Sequence, residues 1–199
     1  MFKCLNIKNQ KGFTLVEMMV VLAIFSVATV AIIDIFMIAS QAQRRTLAVQ
    51  KIYSDARYSM EAMAREIKMD SIDYDWSGYA GGIMVPADVL ALRDADDNSI
   101  IFKKSLSDCP PGTTNCLTVS LDGGLTWASI TSGGINVLDL KFYIDPLVDP
   151  FKMNGALGYD SDHEPRVTIV LVTEGVGGRP DEQKIVNLQT TVSNRIYRR

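Results

Sequence analysis

Helix-breaking residues are missing from the first third of this sequence: no glycine or proline occurs between Phe13 and Ser77. Most residues in that interval are good helix formers, and helices usually end where glycine or proline interrupts the pattern. We therefore predict one helix from Phe13 to about Met69, which at a rise of about 1.5 Å per residue is roughly 85 Å long. Such a helix is far longer than those of ordinary globular domains.

Residues typical of catalytic sites are also scarce. The sequence has one histidine, His163, in a polar stretch with no recognisable serine or cysteine nucleophile motif near it. The glycine-rich stretch 175–179 lacks the Lys-Ser/Thr pair of a phosphate-binding loop and opens no helix. We therefore predict a protein that is not an enzyme and that holds no cofactor.

Charged residues are nearly absent from the apolar run at residues 13–33. Its length of about 21 residues corresponds to about 30 Å of helix, the thickness of the hydrocarbon core of a bilayer. Lys3, Lys8 and Lys11 precede the run and no acidic residue does. By the positive-inside rule, the N-terminus stays in the cytoplasm and the chain after Ser40 lies on the other side of the membrane.

One carboxylate, Glu17, interrupts this run near its start. An ionised side chain inside a spanning helix costs on the order of 3 kcal/mol, so Glu17 needs a partner or must reach the headgroups. Cleavage after Gly12 would create an amino group on Phe13, about one helical turn from Glu17. The amino group of a neighbouring copy would then be a suitable counter-charge. A secretory signal peptide is a weaker interpretation, because its small residues follow the apolar core, whereas Gly12 precedes it.

The stretch Gly12-Phe13-Thr14-Leu15-Val16-Glu17 and the apolar run behind it resemble the class III signal of type IV pilins and type II secretion pseudopilins. The resemblance implies cleavage between Gly12 and Phe13 by prepilin peptidase and N-methylation of Phe13. It also implies that Glu17 docks the subunit into a growing filament. Residues 57–67 and 187–195 resemble PilW-type minor pilins and the related J-type minor pseudopilins.

Cysteine usage fits export of the domain that follows. Cys4 would leave with the leader, so that the mature chain would keep Cys109 and Cys116. An even pair in an oxidising compartment is most simply a disulfide. Loss of residues 1–12 removes three lysines, which changes the formal charge from −3 to about −6 and argues against a surface that coats DNA.

The fold class predicted from the later sequence is α+β and pilin-like, with a long N-terminal helix packed on an antiparallel sheet. We assign residues 1–12 to a cleaved leader, 13–39 to the membrane and assembly half of the helix, and 40–199 to a soluble head that includes helix 40–70. In that helix the apolar residues recur at spacings of three and four, which predicts a buried stripe. The stripe consists of Ile52, Ala56, Met60, Met63 and Ile67.

Short β-type runs with turn residues between them predict the strands of the head. Residues 88–93 and 99–104 form one predicted hairpin, and residues 117–121 and 125–127 form another. Residues 137–145 alternate, with Leu138, Leu140, Phe142 and Ile144 on one face. Residues 166–173 and 183–192 are the longest candidates and are predicted to pair antiparallel.

Two acidic stretches have a spacing that suggests calcium ligands. Asp94-x-Asp96-x-Asn98 opens like a calcium loop, but Ser99 and Ser105 stand where the glycine and glutamate are expected. An acidic turn is the preferred interpretation, and we predict no metal site. The second stretch contains Asp160, Asp162 and Glu164, and we predict no metal site there either.

The sequence as a whole predicts a minor structural subunit of a type IV pilus-like filament that primes or caps assembly. Its expected partners are prepilin peptidase, other pilin or pseudopilin subunits, an inner-membrane assembly platform and the membrane itself. A minor pseudopilin of a type II secretion system is an alternative, which differs in the machine that it serves and not in the interactions by which it assembles. A subunit that binds DNA or a surface ligand is an alternative of another class, for which the only sign is a basic C-terminus with Arg195, Arg198 and Arg199.

Overall fold

A computed structural model of the chain describes residues 12–152, 163–177 and 183–194. It contains one long helix, α1, which runs from Leu15–Met69 over 55 residues and confirms the predicted helix. The chain forms two compact units, Met1–Arg44 and Arg45–Arg199, and α1 contributes to both.

The first unit contains the apolar part of α1, whose side chains are not covered by the chain itself. Two hydroxyl groups in this part are satisfied within the helix. Ser26 Oγ donates to the carbonyl of Leu22 at 2.7 Å, and Thr29 Oγ1 donates to the carbonyl of Phe25 at 2.8 Å. Because these hydroxyls bond one turn back, they need no polar partner from outside the helix.

The second unit combines the later part of α1 with two antiparallel sheets, as predicted for an α+β fold. The first sheet has five strands in the order β1-β2-β3-β4-β5, and the second has three in the order β6-β7-β8. The strands are β1 (Ser71–Ile72), β2 (Val89–Arg93), β3 (Ser99–Ser105), β4 (Cys116–Ser120), β5 (Ala128–Ser129), β6 (Ile135–Asp145), β7 (Arg166–Gly175) and β8 (Ile185–Ser193).

The predicted stripe on α1 is confirmed. Its five residues expose between 0% and 6% of their surface and belong to one core with apolar residues of both sheets. Ser59 lies on the same buried side, where its hydroxyl donates to the carbonyl of Asp55 at 3.0 Å. The apolar period of the sequence therefore identifies the side of the helix that packs on the sheets.

Two predicted strand pairings are confirmed by the register. The hairpin β2–β3 closes at Arg93 opposite Ser99, and β7 pairs antiparallel with β8 over their lengths. Both pairings join strands that are neighbours in sequence, for which short connections favour antiparallel contact.

The prediction that Leu138 shares a face of β6 with Leu140, Phe142 and Ile144 is wrong. A β-bulge places Val137 opposite Thr173 and Asp139 opposite Val172, so Leu138 is the extra residue. Val137 and Leu140 are buried, whereas Leu138 is half-buried. Because an extra residue reverses the alternation of a strand, the buried set changes phase at the bulge.

The predicted strand at residues 125–127 is also wrong. Asp122 holds this segment as a loop: its Oδ1 accepts the backbone N–H groups of Leu125 and Thr126 at 3.0 and 2.9 Å, and its Oδ2 accepts the Thr126 hydroxyl at 2.6 Å. These hydrogen bonds, chiefly those from Thr126, hold the pKa of the Asp122 carboxyl well below its usual range. The strand that pairs with β4 is only Ala128–Ser129.

Candidate functional site

The start of α1 carries the residues that the sequence singles out. Gly12, Phe13 and Thr14 precede the helix in non-helical conformation, and 75% of the surface of Phe13 is exposed. A Cβ atom added to Gly12 would meet nothing within 4 Å, and its φ is not in the left-handed region. The described fold therefore does not require glycine at this position, so a requirement for it has to come from another molecule.

Thr14 and Glu17 form a reciprocal cap at the first turn. The backbone N–H of Glu17 donates to Thr14 Oγ1 at 3.2 Å, and the backbone N–H of Thr14 donates to Glu17 Oε2 at 3.4 Å. The carbonyl of Thr14 accepts the N–H of Met18 at 3.2 Å, which makes Thr14 the N-cap residue. This is a capping box, in which side chains satisfy backbone N–H groups that have no partner inside the helix.

The sequence reasoning missed the role of Thr14. The signal was present, because Ser or Thr followed three residues later by Glu or Gln before an apolar run is the pattern of a capping box. The cap gives Glu17 a partner within its own chain that the sequence interpretation did not include. Among the described residues, no cation forms an ion pair with Glu17.

The helix surface that follows the cap is apolar and uncovered. Exposed fractions include 76% for Leu15, 65% for Ile24 and 72% for Phe36. In the part of the chain that the structure describes, α1 is the one helix long and apolar enough to cross a membrane. None of the residues in its most apolar 18-residue segment is buried. Uncovered apolar surface of this extent is unfavourable in water and marks a segment that contacts lipid or other helices.

In the head, Cys109 and Cys116 form the predicted disulfide. Their sulfur atoms are 2.01 Å apart and their Cα atoms 5.5 Å apart. Cys116 is buried at the start of β4, opposite Ser105 of β3. The bond therefore ties the connection between β3 and β4 to the sheet.

The first acidic stretch is a turn stabilised by its own side chain. Asp94 Oδ1 accepts the backbone N–H groups of Asp96 and Asn98 at 2.9 and 2.8 Å, and Oδ2 accepts the side-chain amide of Asn98 at 2.9 Å. The turn joins β2 to β3, as the preferred interpretation expected. No group of three or more His, Cys, Asp or Glu side chains suited to a metal occurs among the residues described.

Several residues of the remaining predictions lie at the edge of the described ranges. His163 and Glu164 are exposed. Residues 160 and 162 of the second acidic stretch and the arginines at 195, 198 and 199 lie outside the described residues. The predictions made for them therefore stay predictions.

The head also contains a polar cavity of about 310 Å³ near the end of α1. Within it, Arg93 pairs with the buried carboxylate of Asp73 at 2.9 Å, and the hydroxyl of Ser71 donates to the Arg93 carbonyl at 3.1 Å. The serine hydroxyl is thus bonded to the backbone and not to a side-chain base, so the cavity does not assemble a nucleophile with its base.

Burial alters the titration of two acidic groups in the head. Loss of solvation, followed by the nearby charge of Glu66, raises the pKa of Asp70 to about 6. Burial likewise raises the pKa of Tyr79 to about 12, although its hydroxyl accepts the N–H of Ala91 at 2.9 Å. Both shifts have the same cause, since burial next to the core disfavours the charged form of each group.

Comparison with known proteins identifies the N-terminal motif. A family model described as the prokaryotic N-terminal methylation motif matches residues 7–33. No curated protein and no solved structure shows significant similarity to the chain. The motif, the long apolar helix and the antiparallel sheets beside its later part support a type IV pilin-like protein.

Within this class, the methylation motif indicates a pilin or pseudopilin subunit. The motif implies processing by prepilin peptidase and assembly with other pilin subunits. The apolar helix that carries it is the expected membrane anchor.

Proposed function

We propose that this chain is a minor structural subunit of a type IV pilus-like filament. In this proposal, prepilin peptidase cuts between Gly12 and Phe13, and the new amino group of Phe13 is methylated. The subunit waits in the cytoplasmic membrane with its N-terminus in the cytoplasm and its head outside. It then joins a filament through the apolar part of α1 and primes or caps assembly, without catalytic activity of its own.

The observation that carries the proposal is an acid at the start of an uncovered apolar helix. Glu17 is followed by exposed apolar residues as far as Ile38, with one further charge, Asp34, among them. Packing between helices is weak in lipid, because lipid tails are as apolar as the helix surface. A carboxylate and an ammonium group placed together there each reduce the desolvation cost of the other.

The cap suggests how Glu17 is held before a neighbour arrives. Its Oε2 accepts the N–H of Thr14 at 3.4 Å, a long hydrogen bond and therefore a weak one. An incoming ammonium group would offer a shorter hydrogen bond in which both the donor and the acceptor are ionised. The amino group of Phe13 in a neighbouring subunit is a suitable donor, since Phe13 lies directly before the capped turn.

Determination of the N-terminus of protein isolated from membranes tests this function. The expected mature sequence begins with N-methylphenylalanine at position 13, followed by Thr14, Leu15 and Val16. A mature chain that begins at another residue, or that keeps its lysine-rich leader, contradicts the proposal.

The machine that the subunit serves is tested by deletion of its gene. For a minor pilin we expect loss of surface filaments while secretion of folded proteins continues. Loss of secretion with normal surface filaments would instead assign the chain to a type II secretion pseudopilus.

A further inference from the structure

The two sheets of the head have four edges, and three of them are short or covered. β1 and β5 are two residues long. β6 carries the bulge at Leu138, and Ala87 bridges it through two hydrogen bonds of 2.8 Å with the backbone of Phe142. Short strands, bulges and covering segments are the usual means by which proteins prevent edge strands from pairing with other chains.

The fourth edge, β8, has none of these protections in the described part of the chain. It is nine residues long and pairs with β7 in unbroken register from Arg166 opposite Ser193 to Glu174 opposite Ile185. No described residue pairs with its other side. The strand contains no charged residue, no proline and no glycine. Its backbone is therefore able to accept a further strand.

A groove beside β8 indicates which side chains such a strand would carry. The groove has a volume of about 240 Å³ and lies between β8 and the later part of α1. Its charged residues, Arg57 and Glu61, pair with each other at 2.8 Å. The groove is therefore neutral and fits an uncharged side chain. Its other lining residues are Tyr53, Met60, Ala64, Leu188, Gln189 and Thr190.

The choice of occupant rests on the proposed function. A minor subunit that primes or caps a filament has other kinds of subunit as neighbours and not copies of itself, so β8 of one copy would not face β8 of another. The other described edges of this chain are too short or are already covered. We propose that β8 pairs with an uncharged extended strand in the head of a different pilin-like subunit.

Site-specific crosslinking in cells tests the pairing with the full-length, membrane-anchored chain. A photo-crosslinking residue replaces Gln189 on β8, or Ser77 in an exposed segment as the matched control. We expect Gln189 to give an adduct with another pilin-like subunit, identified by mass spectrometry, at several times the yield from Ser77. An adduct between two copies of this chain, or equal yields at the two positions, overturns the proposal.

Charge on the edge provides a second test. The double substitution Asn187→Lys and Thr191→Lys changes two exposed residues of β8, and the same crosslinker stays at position 189. We expect the adduct to decrease at least about tenfold, because lysine on an edge strand opposes strand addition. Ser77→Lys in the same background should leave the yield unchanged. An undiminished adduct in the double variant contradicts strand pairing.

The N-terminus measured in the same sample separates the two proposals. A chain that keeps its leader contradicts the proposed function. A chain that begins at Phe13 but gives no specific adduct from Gln189 contradicts only the pairing of β8.

Discussion

Substitution of Glu17 separates the helix cap that the structure shows from the counter-charge role that we propose for the same carboxylate. Glu17→Gln keeps an oxygen that accepts the N–H of Thr14, so the capping box survives while the charge is lost. Glu17→Ala removes both the charge and the cap. Thr14→Ala removes the Oγ1 that accepts the N–H of Glu17 but leaves the charge. Comparison of the three variants measures each contribution.

The expected magnitudes differ enough to distinguish the roles. A helix cap contributes about 1 kcal/mol, which corresponds to about a fivefold change in an equilibrium. The contacts of 3.2 and 3.4 Å at Thr14 are long and favour the low end of that range. Relief of a charge in lipid is worth on the order of 3 kcal/mol, or about 100-fold. We therefore expect Glu17→Gln to incorporate nearly as poorly as Glu17→Ala, and Thr14→Ala to lose at most about fivefold.

The assay compares the amount of subunit in sheared filaments with the amount in the membrane by immunoblotting. Normal N-terminal processing of each variant is the control, since it shows that prepilin peptidase still recognises the chain. Wild-type incorporation of Glu17→Gln, together with poor incorporation of Glu17→Ala, would refute the reasoning. In that case the carboxylate would act as a helix cap and not as a counter-charge.

Three further predictions concern processing, packing and pH. Gly12→Val should block cleavage, visible on an immunoblot as a precursor that keeps its leader; a processed product would contradict recognition of the glycine. Met63→Ala, at a side chain with no exposed surface, should lower the free energy of unfolding by about 2–5 kcal/mol, whereas Met69→Ala, at an exposed side chain, should change it by less than about 0.5 kcal/mol. A similar loss in both variants would contradict the assigned packing. Because the native pKa of Asp70 is raised from 3.8 to about 6, the native state binds the proton more tightly and stability should fall as the pH rises between those values. In a plot of melting temperature against pH, Asp70→Asn should remove this fall in stability, whereas the control Asp96→Asn should keep it. An unchanged slope in Asp70→Asn would contradict the raised pKa of Asp70.

The helix and its buried side were predictable because their signals are local and repeated. The absence of helix breakers sets the length of α1, and five residues at helical spacing mark its buried stripe. The hairpin around Asp94 was predictable for a related reason, since turn residues stand between two β-type runs. In each case the residues that decide the structure are close together in sequence.

The errors lie where distant residues decide the outcome. Leu138 is displaced because β7 pairs across the bulge, and the sequence of β6 alone does not contain that register. The lack of protection on β8 is likewise a property of the sheet order, which places it at an edge.

The prediction of a strand at residues 125–127 was wrong for a local reason. The carboxylate of Asp122 accepts the backbone N–H groups that a strand would use.

The candidate site is predictable from sequence because its residues lie close together in the chain. Gly12, Phe13 and Glu17 stand within one short motif, and the family model matches the same region. The cap made by Thr14 is equally local, since its sequence signal is the spacing of three residues between Thr14 and Glu17.

Among the residues that the structure describes, the buried core of the head begins at Ile52. A protease that cuts close to Arg45 would accordingly release a soluble fragment whose interior is intact. Such a fragment would keep all eight strands, β8 included, and would lack the apolar part of α1.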